Sequence, residues 1–241
     1  MILEDKFVKE ALQTALDNAV WQKEGKDPKK RNFNETLDLI INFRDLDIRN
    51  PNNKIDRELL LPNNLYEDDL NICFFSKGDQ LLDIKEKGYP VMTDDDLEEL
   101  NNKDVKDKKK FVRKYDAFIA QAPLMRDVAK TLGRYLGQSG KMPKPQPKGF
   151  GIVSPEMDVD KIVENFRHRV KLRTRRVPMI QTKFGKKSYD FDHNYENLKA
   201  ILDFIEGQLP NGQGNIKSIY VKTTMGKPAK VQEPGSKGGR K

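Results

Sequence analysis

The sequence predicts an α+β fold with an α/β insertion in the middle of the chain. Two strand patterns precede the middle and two follow it, so we expect both chain ends to build one sheet around an inserted domain. Within the middle, strand and helix patterns alternate, which is typical of a small parallel sheet flanked by helices. Pro62–Asn64 and the proline- and glycine-rich residues 140–155 predict the two linkers. The expected domains are therefore residues 1–65 with 156–241, and the insertion 66–155.

The terminal segments carry one long amphipathic helix pattern and several strand patterns. Residues 3–24 place apolar side chains at spacings of three and four, the stripe of a helix that packs on a sheet. Thr36–Arg44 alternates apolar and polar residues, as a half-buried strand does. The other predicted strands are Ile55–Leu61, Val177–Phe184 and Asn215–Thr224, and the other helices are Asp158–Arg169 and Asn194–Gln208. The Gly-, Lys- and Arg-rich composition from about residue 233 onward predicts a disordered basic tail.

The middle segment has two apolar runs that predict buried strands. These runs are Leu70–Phe75 and Tyr115–Ala120, and the predicted helices between them are Gln80–Glu86, Asp94–Leu100 and Val105–Lys114. The glycine-rich stretch Gly133–Met142 resembles a phosphate-binding loop. However, Tyr135 stands where that loop needs its first glycine, and Met142 stands where it needs Ser or Thr. We therefore interpret this stretch as an irregular connection.

The net charge of +8 is concentrated at the C-terminal end of the chain. Residues 156–241 contain 18 basic and 10 acidic side chains, residues 66–155 contain 16 and 15, and residues 1–65 contain 11 and 12. Such an excess favours binding to phosphate groups, because each Lys or Arg near a phosphate releases condensed counterions. A solvated basic surface that only maintains solubility is the alternative.

Several classes of chemistry lack the residues that they need. Cys73 is the single cysteine, so no intramolecular disulfide can form, and neither His168 nor His193 has a second ligand at metal-binding spacing. There is no Gly-x-Ser-x-Gly motif for a nucleophilic serine. No apolar run reaches the roughly 20 residues of a membrane span, and the first residues lack a signal-peptide pattern. We expect a cytoplasmic, non-enzymatic protein with no metal, cofactor, small-molecule substrate or membrane partner.

The last strand pattern predicts a polar face that suits RNA. Period-two alternation puts Ile219 and Val221 in the core and places polar side chains on the opposite face. The polar side chains are Ser218, Tyr220, Lys222 and Thr224. Hydroxyl groups and a lysine in one line match the ribose hydroxyls and phosphates of folded RNA. An ordinary solvated face is the alternative.

Three motifs in order give the chain a family resemblance. They are Asn32–Thr36, Gly137–Pro145 and Lys222–Gly226, and Leu59–Pro62 and Tyr115–Phe118 accompany them. With them, the chain resembles the universal large-subunit ribosomal protein one family, the stalk protein beside the tRNA exit site, in its archaeal form. The chain departs from the family pattern in two places. Gln138-Ser139 stands where members usually have Pro-Arg, and Lys227 precedes a proline that often follows Met-Gly directly.

The resemblance implies a two-domain architecture and a set of RNA contacts. It implies a discontinuous, split βαβ-like antiparallel-sheet domain that binds RNA and a Rossmann-like three-layer insertion. The family's RNA contacts fall on Phe33, Thr36, Lys186, Ser188, Ser218, Thr223, Thr224, Met225 and Gly226, and the polar strand face adds Tyr220 and Lys222.

The resemblance also implies a function on the ribosome. The protein would bind large-subunit rRNA, form the mobile stalk beside the exit site and assist release of deacylated tRNA. It would further act as a translational repressor of its own mRNA. The competing hypothesis is a nucleotide-dependent RNA-modifying enzyme that uses the middle domain. Against it, Ser76-Lys77-Gly78-Asp79 supplies only one glycine after the first middle strand.

Overall fold

A computed structural model describes residues 4–21, 29–66 and 70–231. The predicted basic tail and residues 3 and 22–24 of the helix predicted over residues 3–24 lie outside these ranges. That helix ends at Asp17, and Val20–Trp21 forms a strand instead. The chain divides into two compact units. The terminal unit is formed by Met1–Leu65 with His168–Lys241, and the inserted unit is Tyr66–Arg167. None of the described helices is both long and apolar enough to cross a membrane.

The helices and strands follow in three segments. The first terminal segment contains α1 (Asp5–Asp17), β1 (Val20–Trp21), β2 (Lys29–Lys30), β3 (Thr36–Phe43) and β4 (Asp56–Leu60). The inserted unit contains β5 (Ile72–Phe75), α2 (Asp79–Glu86), β6 (Val91–Met92), α3 (Asp94–Asn101), α4 (Val105–Lys114), β7 (Ala117–Gln121), α5 (Met125–Ser139), β8 (Ile152–Val153) and α6 (Val159–Arg167). The second terminal segment contains β9 (Arg169–Arg173), β10 (Met179–Lys186), α7 (Phe191–Gln208), β11 (Ile216–Thr223) and β12 (Ala229–Val231).

The terminal unit is built on a four-stranded antiparallel sheet in the order β10-β3-β11-β12. Every second residue of β3, from Leu37 to Phe43, is buried, as the alternation predicts. Helix α1 packs on β11 and β12, and α7 packs on β10, so both helices contact this sheet. The opposite face of the sheet carries the polar residues of the alternating pattern. Two strands from distant parts of the chain therefore flank β3 and bring both chain ends together.

The prediction that Ile55–Leu61 joins this sheet is wrong. The corresponding strand, β4, pairs instead with β9 in a separate two-stranded antiparallel sheet. A buried ion pair links the two strands, with Arg169 Nη1 at 3.3 Å from Glu58 Oε1. Strand β9 was not predicted, because its first residue was assigned to the preceding helix.

The inserted unit is a three-layer structure around a four-stranded parallel sheet, in the order β6-β5-β7-β8. Its two central strands, β5 and β7, are buried on both faces, so they read as continuous apolar runs. Alternate residues of β5 and β7 enter two separate cores. Cys73, Phe75 and Phe118 pack with residues of α3, α4 and α5, whereas Phe74 and Ile119 pack with residues of α2 and α6.

The interpretation of Gly133–Met142 as an irregular connection is wrong for most of its length. Residues up to Ser139 belong to α5, a helix whose apolar stripe is buried against the sheet. Gly140 ends α5 in the left-handed conformation (φ 68°), a geometry that glycine adopts without steric cost. The two glycines inside the helix led the sequence interpretation away from a helical stripe that is otherwise regular.

The predicted second domain boundary at residues 155 and 156 is also wrong. The boundary lies between Arg167 and His168, and residues 140–155 supply β8 to the parallel sheet. Helix α6 belongs to the inserted unit because its apolar side chains enter that unit's core. These side chains are Val159, Ile162, Val163 and Phe166.

Pro62–Asn64, the first predicted linker, lies within the terminal unit. The Asn63 backbone N–H donates to Asn197 Oδ1 at 3.0 Å, and the Asn63 side-chain amide donates to Glu196 Oε2 at 2.8 Å. These hydrogen bonds attach the segment to α7, so it does not act as a free hinge. The first boundary follows it, between Leu65 and Tyr66.

We predict that deleting residues 66–167 leaves a folded terminal unit, whereas deleting residues 66–155 does not. The chain ends at the first deletion lie close together, because Leu61 N–H donates to His168 O at 2.9 Å, so a short linker can join them. The second deletion keeps α6 without its core and exposes apolar side chains whose burial stabilises by about 1.5–3 kcal/mol each. Thermal melts of the two proteins compare them. Equal cooperative unfolding of both would contradict the boundary at Arg167.

Candidate nucleic-acid interface

Most of the predicted RNA-contacting residues converge at one end of the terminal sheet. Strand β3 begins there, while β10 and β11 end there, with Lys186 opposite Thr36 in the strand register. The Thr224 N–H and hydroxyl both donate to Thr36 O, at 3.0 and 3.2 Å. We call this cluster the sheet end, and it comprises Phe33, Thr36, Lys186, Ser188, Thr224 and Met225.

Two large apolar side chains of the sheet end are exposed. Phe33 is 51% exposed and Met225 is 64% exposed, although both belong to residue types that are normally buried. Exposed apolar side chains among polar groups mark interaction surfaces. An aromatic ring and a thioether are suited to contact with unstacked bases. The sheet end therefore combines apolar contact area with hydroxyl groups and one lysine.

A β-bulge in β10 places Lys186 in this cluster. Strict alternation from Lys183, which faces the polar side opposite Asp38, would turn Lys186 toward the core. Instead, the register shifts between Lys183 and Gly185, and Lys186 pairs with Thr36 on the polar face. This path requires glycine at position 185, because a Cβ atom there would collide with Asn194 Oδ1. The Asn194 amide in turn donates to Lys186 O at 3.0 Å and fixes the backbone at the end of the strand.

The predicted polar face of β11 is present beside the sheet end. Ser218, Tyr220 and Lys222 are partly exposed, and Ser218 Oγ accepts a hydrogen bond from Asn42 Nδ2 at 3.0 Å. Lys222 lies opposite Asp38 across the strand register. Burial raises the pKa of Asp38, although Lys222 and Lys183 act in the opposite direction. Asp38 therefore offsets part of the positive charge of Lys222.

Thr223 and Gly226 do not lie on the surface. Both are buried, because Thr223 continues the inward alternation of Ile219 and Val221. A Cβ atom on Gly226 would collide with Thr223 Oγ1 and would lie 3.1 Å from Asn18 O. The glycine therefore serves internal packing. The Thr223 side chain and the Gly226 α-carbon therefore pack beneath the neighbouring Thr224 and Met225.

A buried ion pair that the sequence analysis missed fixes Met225. Arg31 Nη1 donates to Glu35 Oε1 at 2.8 Å, and the Glu35 side chain is fully buried. Met225 N–H donates to Glu35 Oε2 at 3.0 Å, while Arg31 Nη2 donates to Met225 O at 2.8 Å and to Val20 O at 2.7 Å. Both backbone polar groups of Met225 are therefore held by one Arg31–Glu35 pair.

The loop before β3 is held to the loop after β10. Asn34 Nδ2 donates to Ser188 Oγ at 2.8 Å, and Ser188 N–H donates to Asn34 Oδ1 at 3.1 Å. Lys187 N–H donates to Glu35 O at 2.8 Å. The loops that carry Phe33 and Ser188 thus form one hydrogen-bonded surface.

The described residues offer no metal site or reactive thiol. No group of three or more His, Cys, Asp or Glu side chains within residues 4–21, 29–66 and 70–231 is arranged to hold a metal ion. Burial raises the pKa of Cys73 to about 12, so the thiol stays protonated at neutral pH.

We predict that Glu35→Gln lowers the free energy of unfolding by roughly 2–3 kcal/mol at neutral pH, because Arg31 loses its buried partner. Burial alone opposes ionisation of Glu35, but hydrogen bonds from Arg31 and Met225 outweigh it and lower its pKa below 4.5. This stabilisation is present above pH 4.5 and is lost as the pH falls through the lower folded-state pKa. Denaturant unfolding at several pH values measures it.

The difference in stability between wild type and Glu35→Gln should therefore shrink on acidification below pH 4.5. Glu10→Gln, at an exposed position of α1, is the matched control and should leave stability unchanged. A difference in the free energy of unfolding that stays constant down to strongly acid pH would show that the Glu35 charge does not stabilise the fold.

Comparisons with known proteins agree in assigning one family. The model of the "Ribosomal protein L1p/L10e family" matches residues 23–227. Relatives named large ribosomal subunit protein uL1 include one from Thermofilum pendens, 35% identical over 90% of this chain and 92% of the relative. One from Methanothermobacter thermautotrophicus is 38% identical over 83% and 91%, and one from Natronomonas pharaonis is 36% identical over 90% and 98%. The chain belongs to the ribosomal protein L1p/L10e family.

Proposed function

We propose that this protein is a structural component of the large ribosomal subunit and that its terminal unit binds a folded segment of large-subunit rRNA. The convergence of three distant segments at the sheet end carries the proposal. This convergence brings an exposed aromatic ring, an exposed thioether, a lysine and several hydroxyl groups to one surface. The relatives' names, which place them in the large ribosomal subunit, support the same role.

Each group of the sheet end has a counterpart in folded RNA. Lys186 would contact a phosphate, since a lysine acts as a compact point charge. The hydroxyls of Thr224 and Ser188 would bind ribose 2′-hydroxyls, which are the feature that separates RNA from DNA. Phe33 and Met225 would pack against bases. Ser218, Tyr220 and Lys222 extend the same surface along β11, and Asp38 lies opposite Lys222 in the strand register.

The family resemblance supports a more specific role on the ribosome. A protein held on rRNA by its terminal unit would form the mobile stalk beside the exit site and assist the release of deacylated tRNA. The same surface would repress translation of its own mRNA if that mRNA folds into a similar structure. Both roles use one RNA-binding site, so competition between rRNA and mRNA would regulate synthesis of the protein.

An enzymatic role is excluded by the family, whose members are structural ribosomal proteins. In the inserted unit, buried side chains form a hydrogen-bonded cluster at the carboxyl ends of β5 and β7. Open α/β sheets bind ligands outside the carboxyl ends of their strands. There, buried Gln121 donates to Ser76 Oγ and to Gln80 Oε1, both at 2.8 Å, and accepts from Lys77 N–H at 3.1 Å. These side chains occupy the position where a nucleotide would have to bind.

We expect Thr224→Val and Met225→Ala to weaken binding to a large-subunit rRNA fragment while changing thermal stability little. Both side chains are exposed, so their truncation leaves the core intact. A lost buried hydrogen bond to RNA costs roughly 1–3 kcal/mol, which is up to about a hundredfold in affinity. Filter binding and thermal melts measure the two effects. Unchanged affinity in folded variants would contradict the assignment of the sheet end as the rRNA-binding site.

Lys186→Ala should lower the salt dependence of rRNA binding by nearly one unit in the slope of log K against log salt concentration, because one phosphate contact is lost. Lys217, an exposed lysine at the opposite end of β11, is the control, and Lys217→Ala should leave the slope unchanged. The wild-type protein should also sediment with large ribosomal subunits at moderate salt. Equal slope changes in both variants would indicate a diffuse electrostatic attraction instead of a defined site.

A further inference from the structure

Helix α4 in the inserted unit concentrates positive charge on one short element. Six of its ten residues are basic and one, Asp107, is acidic. The basic residues are Lys106, Lys108, Lys109, Lys110, Arg113 and Lys114. The function proposed above does not use this helix.

Part of this charge surrounds a groove between the end of α3 and α4. The groove has a volume of about 650 Å³, and its apolar lining comes from Leu100 and Phe111. Its basic lining consists of Lys103, Lys110, Arg113 and Lys114, and Asp107 adds a single carboxylate. An open groove with apolar area beside four cations fits an anionic polymer that also presents ring or sugar surfaces.

The charges of α4 are largely uncompensated within the protein. Among the residues that the structure describes, no carboxylate lies within 4.0 Å of the charged groups of Lys106, Lys109, Lys110 or Arg113. Like charges three and four residues apart destabilise a helix. Solubility alone would be served by the same charges spread over the surface. Crowding them on one helix therefore indicates an external anionic partner.

The helix is held firmly on its other side. Val112 is buried, and Phe111 packs against the rings of Tyr115 and Phe118. The Lys141 ammonium donates to Val112 O at 3.1 Å and to Tyr115 O at 2.6 Å, which caps the C-terminal end of α4. Because its apolar stripe is used in the core, α4 cannot insert that stripe into a membrane surface as an amphipathic anchor does.

We propose that the α4 groove is a second RNA-binding surface, which takes the phosphate backbone of an RNA segment without regard to its sequence. Lys110 and Arg113 contact phosphates, and the partly exposed ring of Phe111 lies beside them in the groove. The surface lies in the inserted unit and shares no residue with the sheet end. It would give the protein a separate contact with RNA that is not bound by the terminal unit.

The test measures binding of the full chain to a short RNA duplex that has no ribosomal sequence, over a range of salt concentrations. Lys110→Ala/Arg113→Ala should lower the slope of log K against log salt concentration by about two, because two phosphate contacts are lost. Alanine favours helix, so α4 should stay folded, which circular dichroism checks. The matched control is Lys85→Ala/Lys161→Ala, which removes the same charge from exposed helical positions of the same unit.

Three results would overturn the proposal: an unchanged slope in the α4 variant, equal changes in both double variants, or an acidic polypeptide that displaces the duplex and binds more tightly than it does. The last result would assign the groove to an acidic protein partner. The effect of Thr224→Val/Met225→Ala is measured separately, on the rRNA fragment, so failure of the sheet-end proposal and failure of this one are distinguishable.

Discussion

The surface proposed to bind RNA depends on the buried Arg31–Glu35 pair. Removing two charges from water is costly, and a buried pair is tolerated only when further hydrogen bonds satisfy both groups. Here the backbone of Met225 supplies a donor and an acceptor, and Val20 supplies a second acceptor. The pair therefore joins the start of β1, the segment just before β3 and the turn after β11. The hydrogen bonds of the pair fix the backbone of Met225, while the Asn34–Ser188 hydrogen bonds hold the loop that carries Phe33.

Local patterns in the sequence were sufficient to predict much of the terminal sheet. Alternation in β3 and β11 depends only on period two, so it gave the buried face and the polar face correctly, including Ser218, Tyr220, Lys222 and Thr224. The predicted mixture of helices and strands also depends on local periodicity, and it was confirmed. The family resemblance added Phe33 and Lys186, which no periodicity connects. The strand register places Lys186 opposite Thr36, near Phe33 in the sequence.

The remaining features depend on contacts between distant residues. The bulge at Gly185 reverses the orientation of Lys186. The bulge depends on the close packing of Gly185 against Asn194, which lies in a different element. Thr223 appeared as a contact residue because it lies within a motif, although alternation turns it inward. The domain boundary was missed because helix α6 is amphipathic in either unit, and only the core that receives Phe166 decides where it belongs. No local pattern indicated that Arg31 and Glu35 would meet Met225.

The central claim is that the sheet end of the terminal unit is the surface in contact with rRNA. Ultraviolet cross-linking of the full chain bound to a large-subunit rRNA fragment, followed by mass spectrometry of the peptides, tests it directly. We predict RNA adducts on the peptides that carry Phe33 and Met225, because these side chains are exposed and would lie against bases. Adducts confined to peptides of the inserted unit, with none at the sheet end, would contradict the account.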